Sequence, residues 1–260
     1  MTRIPIIERA EMNAEQVRVY DAAKQSTGIV GGPYHAYIRL PKLFEAAQNL
    51  RASLASGPLS RREQQIVNLT VARYWNARYP WFAQVRNSLA IGIEQARVYD
   101  AAKASSGIVG GPYHAYIRLP KLFEACQNLR EALSSGPLSQ REQQIVNLVV
   151  ARHWNARYPW FAQVRRSRSV GIDQAVIDAI NARKSPNLAD ARERTCFAVA
   201  RELLANKGLS DETYAAAEQT MGLENLVALV ATTGSFSMTC MTAATFGIDP
   251  PAENPTPLAE

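Results

Sequence analysis

Apolar residues recur along most of the chain at intervals of three and four positions, which places them on one face of an α-helix. The clearest example is IVNLTVA at 66–72, where Ser60 and Glu63 precede the run as a capping box. Breaks between such runs fall at glycine and proline, as in GIVGGP at 28–33 and SGP at 56–58. No stretch alternates between apolar and polar residues as a half-buried strand does. The pattern predicts an all-α protein.

The helices that this pattern predicts in the first half of the chain are repeated further along. The predicted spans are 10–25, 40–54, a helix after Ser60, 80–91, 174–183, 188–206, 210–221 and 224–246. Residues 16–94 and 95–173 align without a gap, and roughly four residues in five are identical. We therefore divide the chain into an N-terminal arm (1–15), a first copy (16–94), a second copy (95–173) and unique C-terminal helices (174–260) that complete the domain.

Composition and charge narrow the class of protein. The formal net charge of +6 is spread along the chain without the long basic stripe of a nucleic-acid binder. The N-terminus lacks the pattern of a signal peptide, and no apolar run is long enough to span a membrane, so we expect a cytoplasmic protein. The three cysteines are far apart and lie outside any CxxC pair or histidine cluster, so we expect neither a metal site nor a cofactor.

Several segments resemble the carboxymuconolactone decarboxylase / AhpD-like alkylhydroperoxidase superfamily. They include GPY…LPKLFEA, SGPLSQREQQIVNLVVARHWNARYPWFAQVRRSRSVGI, FAVARELL, LSDETYAAA and the terminal TFGIDPPAENP. The resemblance implies an AhpD-like helical fold, here enlarged by the duplicated segment. It also implies assembly into dimers, trimers or hexamers, with a site near a helix pair or subunit interface.

The positions that carry chemistry in such relatives differ here. The resemblance places a Glu at position 144, Cys or polar groups at 156 and 159, and a His at 163, where this chain has Gln144, Ala156, Pro159 and Gln163. The first copy has Gln65 and Gln84 at the outer positions. Peroxide reduction needs a thiolate and a resolving thiol, which these positions lack, so peroxidase activity is not expected.

The histidines are the remaining candidates for acid–base chemistry. His35 and His114 lie in identical GGPYHAYIR segments, each four residues before an arginine, Arg39 or Arg118. That spacing allows a general base beside an anion-binding guanidinium, with Tyr113 adjacent, but it also fits a surface or capping histidine. His153 precedes Trp154 in a helix that packs in the core. This histidine is either a catalytic residue or a structural one.

The helix that lines the site in relatives supplies further candidates. Gln144 and Gln163 could form an amide pair that hydrogen-bonds a substrate carbonyl or carboxylate, or could be a satisfied buried pair. Two aromatic residues, Tyr158 and Trp160, and the hydroxyl of Ser235 complete the predicted site. The positions equivalent to the predicted site in the first copy are His35, Gln65, Tyr79, Trp81 and Gln84. Ser235 belongs to a hydroxyl-rich stretch that either lines a pocket or allows close helix packing.

The sequence predicts an enzyme that acts without redox chemistry on a small organic acid, lactone or degradation intermediate. Decarboxylation, isomerisation, elimination and hydrolysis all remain open, with His114, His153, Tyr158 and Gln163 as catalytic candidates. The expected partner is a small-molecule substrate, and we expect the chain to form a homo-oligomer. The alternative is a variant of the family that binds a ligand or directs assembly without catalysis.

Overall fold

The computed structural model describes residues 4–27, 34–75, 84, 120–250 and 256–259, and the regular secondary structure of these residues is helical without a strand. The prediction of an all-α protein is therefore confirmed. A short 3-10 turn at Arg9–Glu11 precedes eleven α-helices in the described ranges. They are α1 (Ala14–Thr27), α2 (Tyr34–Tyr37), α3 (Pro41–Ala55), α4 (Arg61–Tyr74), α5 (Pro120–Ser134), α6 (Gln140–His153), α7 (Arg157–Ser169), α8 (Gln174–Asn181), α9 (Ala191–Asn206), α10 (Asp211–Met221) and α11 (Leu223–Thr245).

The chain divides into two compact units, Pro5–Gly107 and Met1–Ile4 with Ile108–Glu260. The division falls inside the predicted second copy, and the predicted border between residues 94 and 95 lies outside the described residues. The first unit contains α1 to α4, and α1 packs on α3 around a small apolar core that includes Val19 and Phe44. The Tyr34 ring meets Phe44 edge-on, with ring centroids 5.5 Å apart.

The second unit is built around α6, which packs against α7, α8, α9 and α11. Most of the apolar side chains of α6 are inaccessible to solvent, including Ile145, Val146, Leu148 and Val150 at 0% exposure. A helix that is covered on nearly every side is the core of its domain. The second copy therefore packs directly on the C-terminal helices.

Capping side chains fix where several helices begin. Ser139 accepts the Glu142 N–H, and Glu142 accepts the Ser139 N–H, so α6 starts with a capping box. Ser60 and Glu63 form the equivalent box before α4, as the sequence predicted. Asp190 accepts two N–H groups of the first turn of α9, which begins there rather than at residue 188.

Two predicted helix starts are shifted. The prediction of one helix over 10–25 is wrong at its beginning, because Asn13 and Gln16 cap each other reciprocally and α1 starts at Ala14. In the second copy α7 begins at Arg157, two residues before Pro159. A proline in the first turn is compatible with this, since that turn has no partner for its N–H groups.

The expectation that no apolar run is long enough to span a membrane is wrong for α11, which passes that test by length and composition alone. Of its most apolar window, 56% is buried inside the protein, and core helices of soluble proteins pass the same test. Its composition therefore fits its position against α6.

Candidate functional site

The predicted amide pair forms in one copy and not in the other. In the first unit, Gln65 Nε2 donates to Gln84 Oε1 (2.7 Å) and to the Gln84 carbonyl (2.8 Å). In the second unit, Gln163 Oε1 accepts instead from Asn147 Nδ2 at 3.4 Å. Gln144 is 2% exposed, and its Oε1 has no hydrogen-bond partner. A buried acceptor without a donor is costly, so Gln144 could accept a hydrogen bond from a ligand or a water.

Two predicted aromatic residues of α7 have different environments. Trp160 is fully buried, and its Nε1 donates to the Thr256 carbonyl at 3.0 Å, which ties the C-terminal tail to the core. Its polar atom is therefore already used within the protein. Tyr158 is 36% exposed and is the accessible member of the two.

His153 is the last residue of α6 and is half-buried. Its ring meets that of Trp154 edge-on, with centroids 5.4 Å apart. Burial and then the positive charge of Arg183 lower the pKa of His153 below its usual value. The imidazole is therefore neutral near pH 7 and can accept a proton. Nine residues of helix place His153 about 13 Å from Gln144 along the axis, so the two do not share one small substrate group.

Two arginines that the sequence did not single out lie beside His153. Arg152 is 7% exposed and donates from Nε to the Asn181 carbonyl (2.6 Å) and from Nη1 to Asn155 Oδ1 (2.5 Å). Arg183 Nη2 donates to the same Asn155 oxygen at 3.2 Å. Within the described ranges neither guanidinium pairs with a carboxylate. Burial and the charge of Arg183 accordingly lower the pKa of Arg152.

The backbone of this cluster turns at the ends of two helices. Asn155 and Arg183 both have left-handed conformations, with φ of 47° and 57°. Each residue follows the end of a helix, α6 or α8, where a left-handed residue commonly closes the last turn. The N–H groups of Ala156 and Lys184 donate back to the carbonyls of Ala151 and Ala179, as in that helix ending. The buried indole N–H of Trp154, without an acceptor of its own, adds a donor to the same end of α6. We define the group formed by Arg152, His153, Trp154, Asn155 and Arg183 as the α6-end cluster.

This cluster has the chemistry of an anion site next to a base. Two like charges that share one neutral acceptor are best compensated by an anion, and guanidinium groups bind carboxylates well. The local signal in the sequence was the ARHWNAR segment, but Arg183 comes from the unrelated C-terminal part. The spacing of the residues in the sequence does not predict that Arg183 lies beside Arg152.

The hydroxyls of α11 are mostly engaged within the helix. Thr233 and Ser237 donate to the carbonyls of Leu229 and Thr233, at 2.9 and 2.8 Å. Ser235, the predicted ligand-binding residue, is half-buried, and its carbonyl accepts from Thr239. These contacts favour the close-packing interpretation of the stretch over a hydroxyl-lined pocket.

The Arg39 guanidinium beside His35 is engaged by backbone carbonyls. Arg39 donates to the carbonyls of His35 (2.8 Å) and Pro5 (2.6 Å), so it joins the N-terminal arm to α2. Five predicted site residues lie outside the described residues, namely Tyr79, Trp81, Tyr113, His114 and Arg118.

The cysteines are poor nucleophiles. Burial raises the pKa of Cys126 to about 11 and that of Cys196 to about 12, and it raises that of Cys240 further. In the described part of the chain no group of His, Cys, Asp and Glu could hold a metal ion. The thiols therefore offer no thiolate for peroxide chemistry near pH 7.

A separate cavity of about 400 Å³ lies between α1 and α3 of the first unit. Its lining includes apolar groups such as Val19 and Phe44 and the polar residues Glu45, Gln48 and Arg51. None of the predicted site residues lines it.

Comparison with protein-family models, with curated proteins and with solved structures found no match.

Proposed function

We propose that the protein is a carboxymuconolactone decarboxylase-like enzyme that acts without redox chemistry on a small organic acid, lactone or degradation intermediate. In this proposal it is a cytoplasmic homo-oligomer with a small-molecule substrate and no cofactor. The observation that carries the proposal is the α6-end cluster, where two guanidiniums without a carboxylate partner adjoin a neutral histidine.

The roles follow from the groups present. Arg183 is exposed and holds the substrate carboxylate, and the Trp154 indole N–H supplies a neutral donor. Arg152, largely buried, fixes Asn155 and through it the position of Arg183. His153 accepts a proton from a substrate carbon or from a water and returns it to the product. Isomerisation, elimination and hydrolysis can each use this transfer. In a decarboxylation His153 first takes a proton from water and then gives it to the carbon that loses CO2, which leaves with the hydroxide as bicarbonate.

Ligand binding is tested by calorimetry with succinate and benzoate, compared with succinamide and benzamide. We expect the acids to bind and the amides to bind at least about 10-fold more weakly, because the amides lack the charge that the guanidiniums recognise. Arg183→Gln should remove this preference. Arg157→Gln is the matched control, because Arg157 is exposed and its guanidinium pairs with Asp249 rather than with a member of the cluster. Equal affinity for acids and amides would contradict the proposal.

Catalysis is tested by incubation with panels of lactones and organic acids, followed by mass spectrometry. For any substrate found, His153→Gln should lower kcat by about 100-fold or more, the usual contribution of a general base.

A second candidate is a ligand-binding relative without catalysis. It is favoured by the buried, unpartnered oxygen of Gln144 in a position where the resemblance implies a titrating Glu. Binding of carboxylates without turnover of any panel compound would support this candidate over the enzyme.

A further inference from the structure

Residues 256–259 are bound to α7 and α8 by hydrogen bonds, and we define these four residues as the strap. At its first residue, Trp160 Nε1 donates to the Thr256 carbonyl at 3.0 Å, and Arg168 Nη2 donates to the Thr256 hydroxyl at 2.7 Å. Thr256 is 8% exposed, but two of the three residues that follow are exposed and one is half-buried. A short segment with one buried anchor opens at a small cost in free energy. The strap can therefore be released while the helices beneath it stay folded.

Asn181, the last residue of α8, binds the rest of the strap. Its Nδ2 donates to the Pro257 carbonyl, and its Oδ1 accepts the Ala259 N–H, both at 2.9 Å. The side chain thus uses both its donor and its acceptor on the strap. Release of the strap would leave both groups of this amide to water.

The backbone of Asn181 is at the same time connected to the α6-end cluster. Its carbonyl accepts from Arg152 Nε at 2.6 Å. Arg183 follows two positions later, and its N–H donates to the Ile180 carbonyl at 3.0 Å, so the end of α8 sets where its backbone lies. Asn155 Oδ1 then joins the two guanidiniums by accepting from both. One residue therefore holds the strap through its side chain and the cluster through its backbone.

We propose that Asn181 is a positioning residue of the α6-end cluster, through which the bound strap holds the two guanidiniums in the arrangement that binds a carboxylate. This inference rests on the proposed function, in which the cluster is the anion site. Release of the strap frees the Asn181 side chain, and the end of α8 and the two arginines become more mobile. A site whose groups are already in place binds more tightly than one that must order them on binding. Strap release therefore lowers the affinity for a carboxylate without removing any group that contacts it.

The first test measures succinate binding by calorimetry in the wild-type chain, in a chain shortened to end at Pro255, and in Asn181→Ala. The Asn181→Ala variant loses both bonds to the strap but keeps the carbonyl that Arg152 uses. We expect each change to weaken binding by about 10-fold, an ordinary size for coupling between two sites. Combining the two changes should weaken binding no further than shortening alone, because both act through the same contact.

Asn187→Ala is the matched control, because Asn187 is an exposed asparagine of the same unit that follows α8 in sequence. It should bind succinate as the wild type does. Wild-type affinity in the shortened chain or in Asn181→Ala would overturn the proposal. Additive losses in the combined variant would overturn it as well, since they would mean that the strap and Asn181 act separately.

The second test needs no ligand, so it separates a failure of this inference from a failure of the proposed function. Two indole N–H signals in the NMR spectrum of the ¹⁵N-labelled chain report on the two ends of the connection. Trp160 bonds the strap directly, and Trp154 belongs to the cluster. In Asn181→Ala the Trp154 signal should shift or broaden, but in the Asn187→Ala control it should stay in place; Trp154→Phe identifies the signal.

An unchanged Trp154 signal in Asn181→Ala, at wild-type helical content, would refute the connection between the strap and the cluster. If that signal responds but the wild-type chain does not bind succinate, the connection stands and the proposed function fails.

The third test uses the unaltered chain and therefore does not depend on the folding of a variant. Coupling between two sites is reciprocal, so bound succinate must favour the bound strap by the same factor. The Ala259 N–H is the probe, because it donates to Asn181 Oδ1 when the strap is bound. Its exchange with solvent, followed by NMR, should slow by up to about 10-fold at saturating succinate. An exchange rate that bound succinate leaves unchanged would contradict the coupling.

Discussion

The ion pair between Glu142 and Arg192 offers a test of how much the second unit depends on its polar contacts. The Glu142 side chain is 5% exposed and that of Arg192 is 36% exposed. The substitution Glu142→Gln keeps the shape and the capping position but removes the charge. Breaking a fully buried pair costs about 3–5 kcal/mol, but here the orphaned Arg192 can reach water. We therefore expect a loss of about 2 kcal/mol, the value typical of a hydrogen bond to a charged group.

The assay is urea unfolding at pH 7, followed by circular dichroism. Asp249→Asn is the control in the same unit, because the Arg157–Asp249 pair is 71% and 63% exposed. An exposed pair contributes about 0–1 kcal/mol, so the control should change stability little. If the two variants lose stability equally, the argument from burial is wrong.

The pH dependence gives a second check on the same carboxylate. Burial raises the pKa of Glu142, but the hydrogen bonds from Arg192 and Ser139 outweigh it and hold the pKa below its usual value. A depressed pKa means that the stabilisation is fully present above about pH 4.3, the value in the unfolded chain, and is lost as the pH falls through the folded value. The difference between wild type and Glu142→Gln should therefore shrink at pH 3. A constant difference would refute the assignment.

Three further predictions follow from burial and charge. Val150→Ala should lower the free energy of unfolding in urea by about 2 kcal/mol. Val71→Ala should lower it by less than about 0.5 kcal/mol at concentrations where the chain is monomeric. Equal losses would mean that the two copies are covered alike. Because burial raises the pKa of Cys126, only about one of its thiols in a thousand is ionised at pH 8. Alkylation of Cys126 should therefore be slow in the native protein and rapid in urea. Fast alkylation of the native protein would contradict this. The acid limb of kcat/KM should have its midpoint below the usual pKa of a histidine, because the pKa of His153 is lowered, as a profile of kcat/KM against pH would show; a midpoint above the usual value would contradict a neutral His153 base.

The sequence predicts the helices better than their surroundings. The capping boxes at Ser60 and Ser139 are local, since each involves residues three positions apart, and both are confirmed. The start of α1 was mistaken because Asn13 and Gln16 compete with the apolar pattern that begins earlier. Local hydrogen-bonding residues of this kind decide helix ends more strongly than apolar spacing does.

The candidate site was less predictable, because its members meet through tertiary packing. Arg183 reaches Asn155 from a different helix, and its left-handed backbone leaves no mark in the sequence. The amide pairs make the same point. Gln65 and Gln144 occupy equivalent positions in nearly identical helices, but only Gln65 bonds its predicted partner. The neighbours that surround each glutamine, rather than the glutamine itself, determine the outcome.

The duplication also has a consequence for the order of folding. The segment 174–260 is synthesised after both copies and meets two nearly identical docking surfaces. Chain connectivity favours the nearer one, because closing a loop of about 50 residues rather than about 130 saves roughly 0.8 kcal/mol, a four-fold preference. Buried Val149, which replaces Thr70 of the first copy, adds to that preference. With so narrow a margin, a chain that docks the segment on the first copy is a kinetic trap, and escape from it would be a slow phase of refolding.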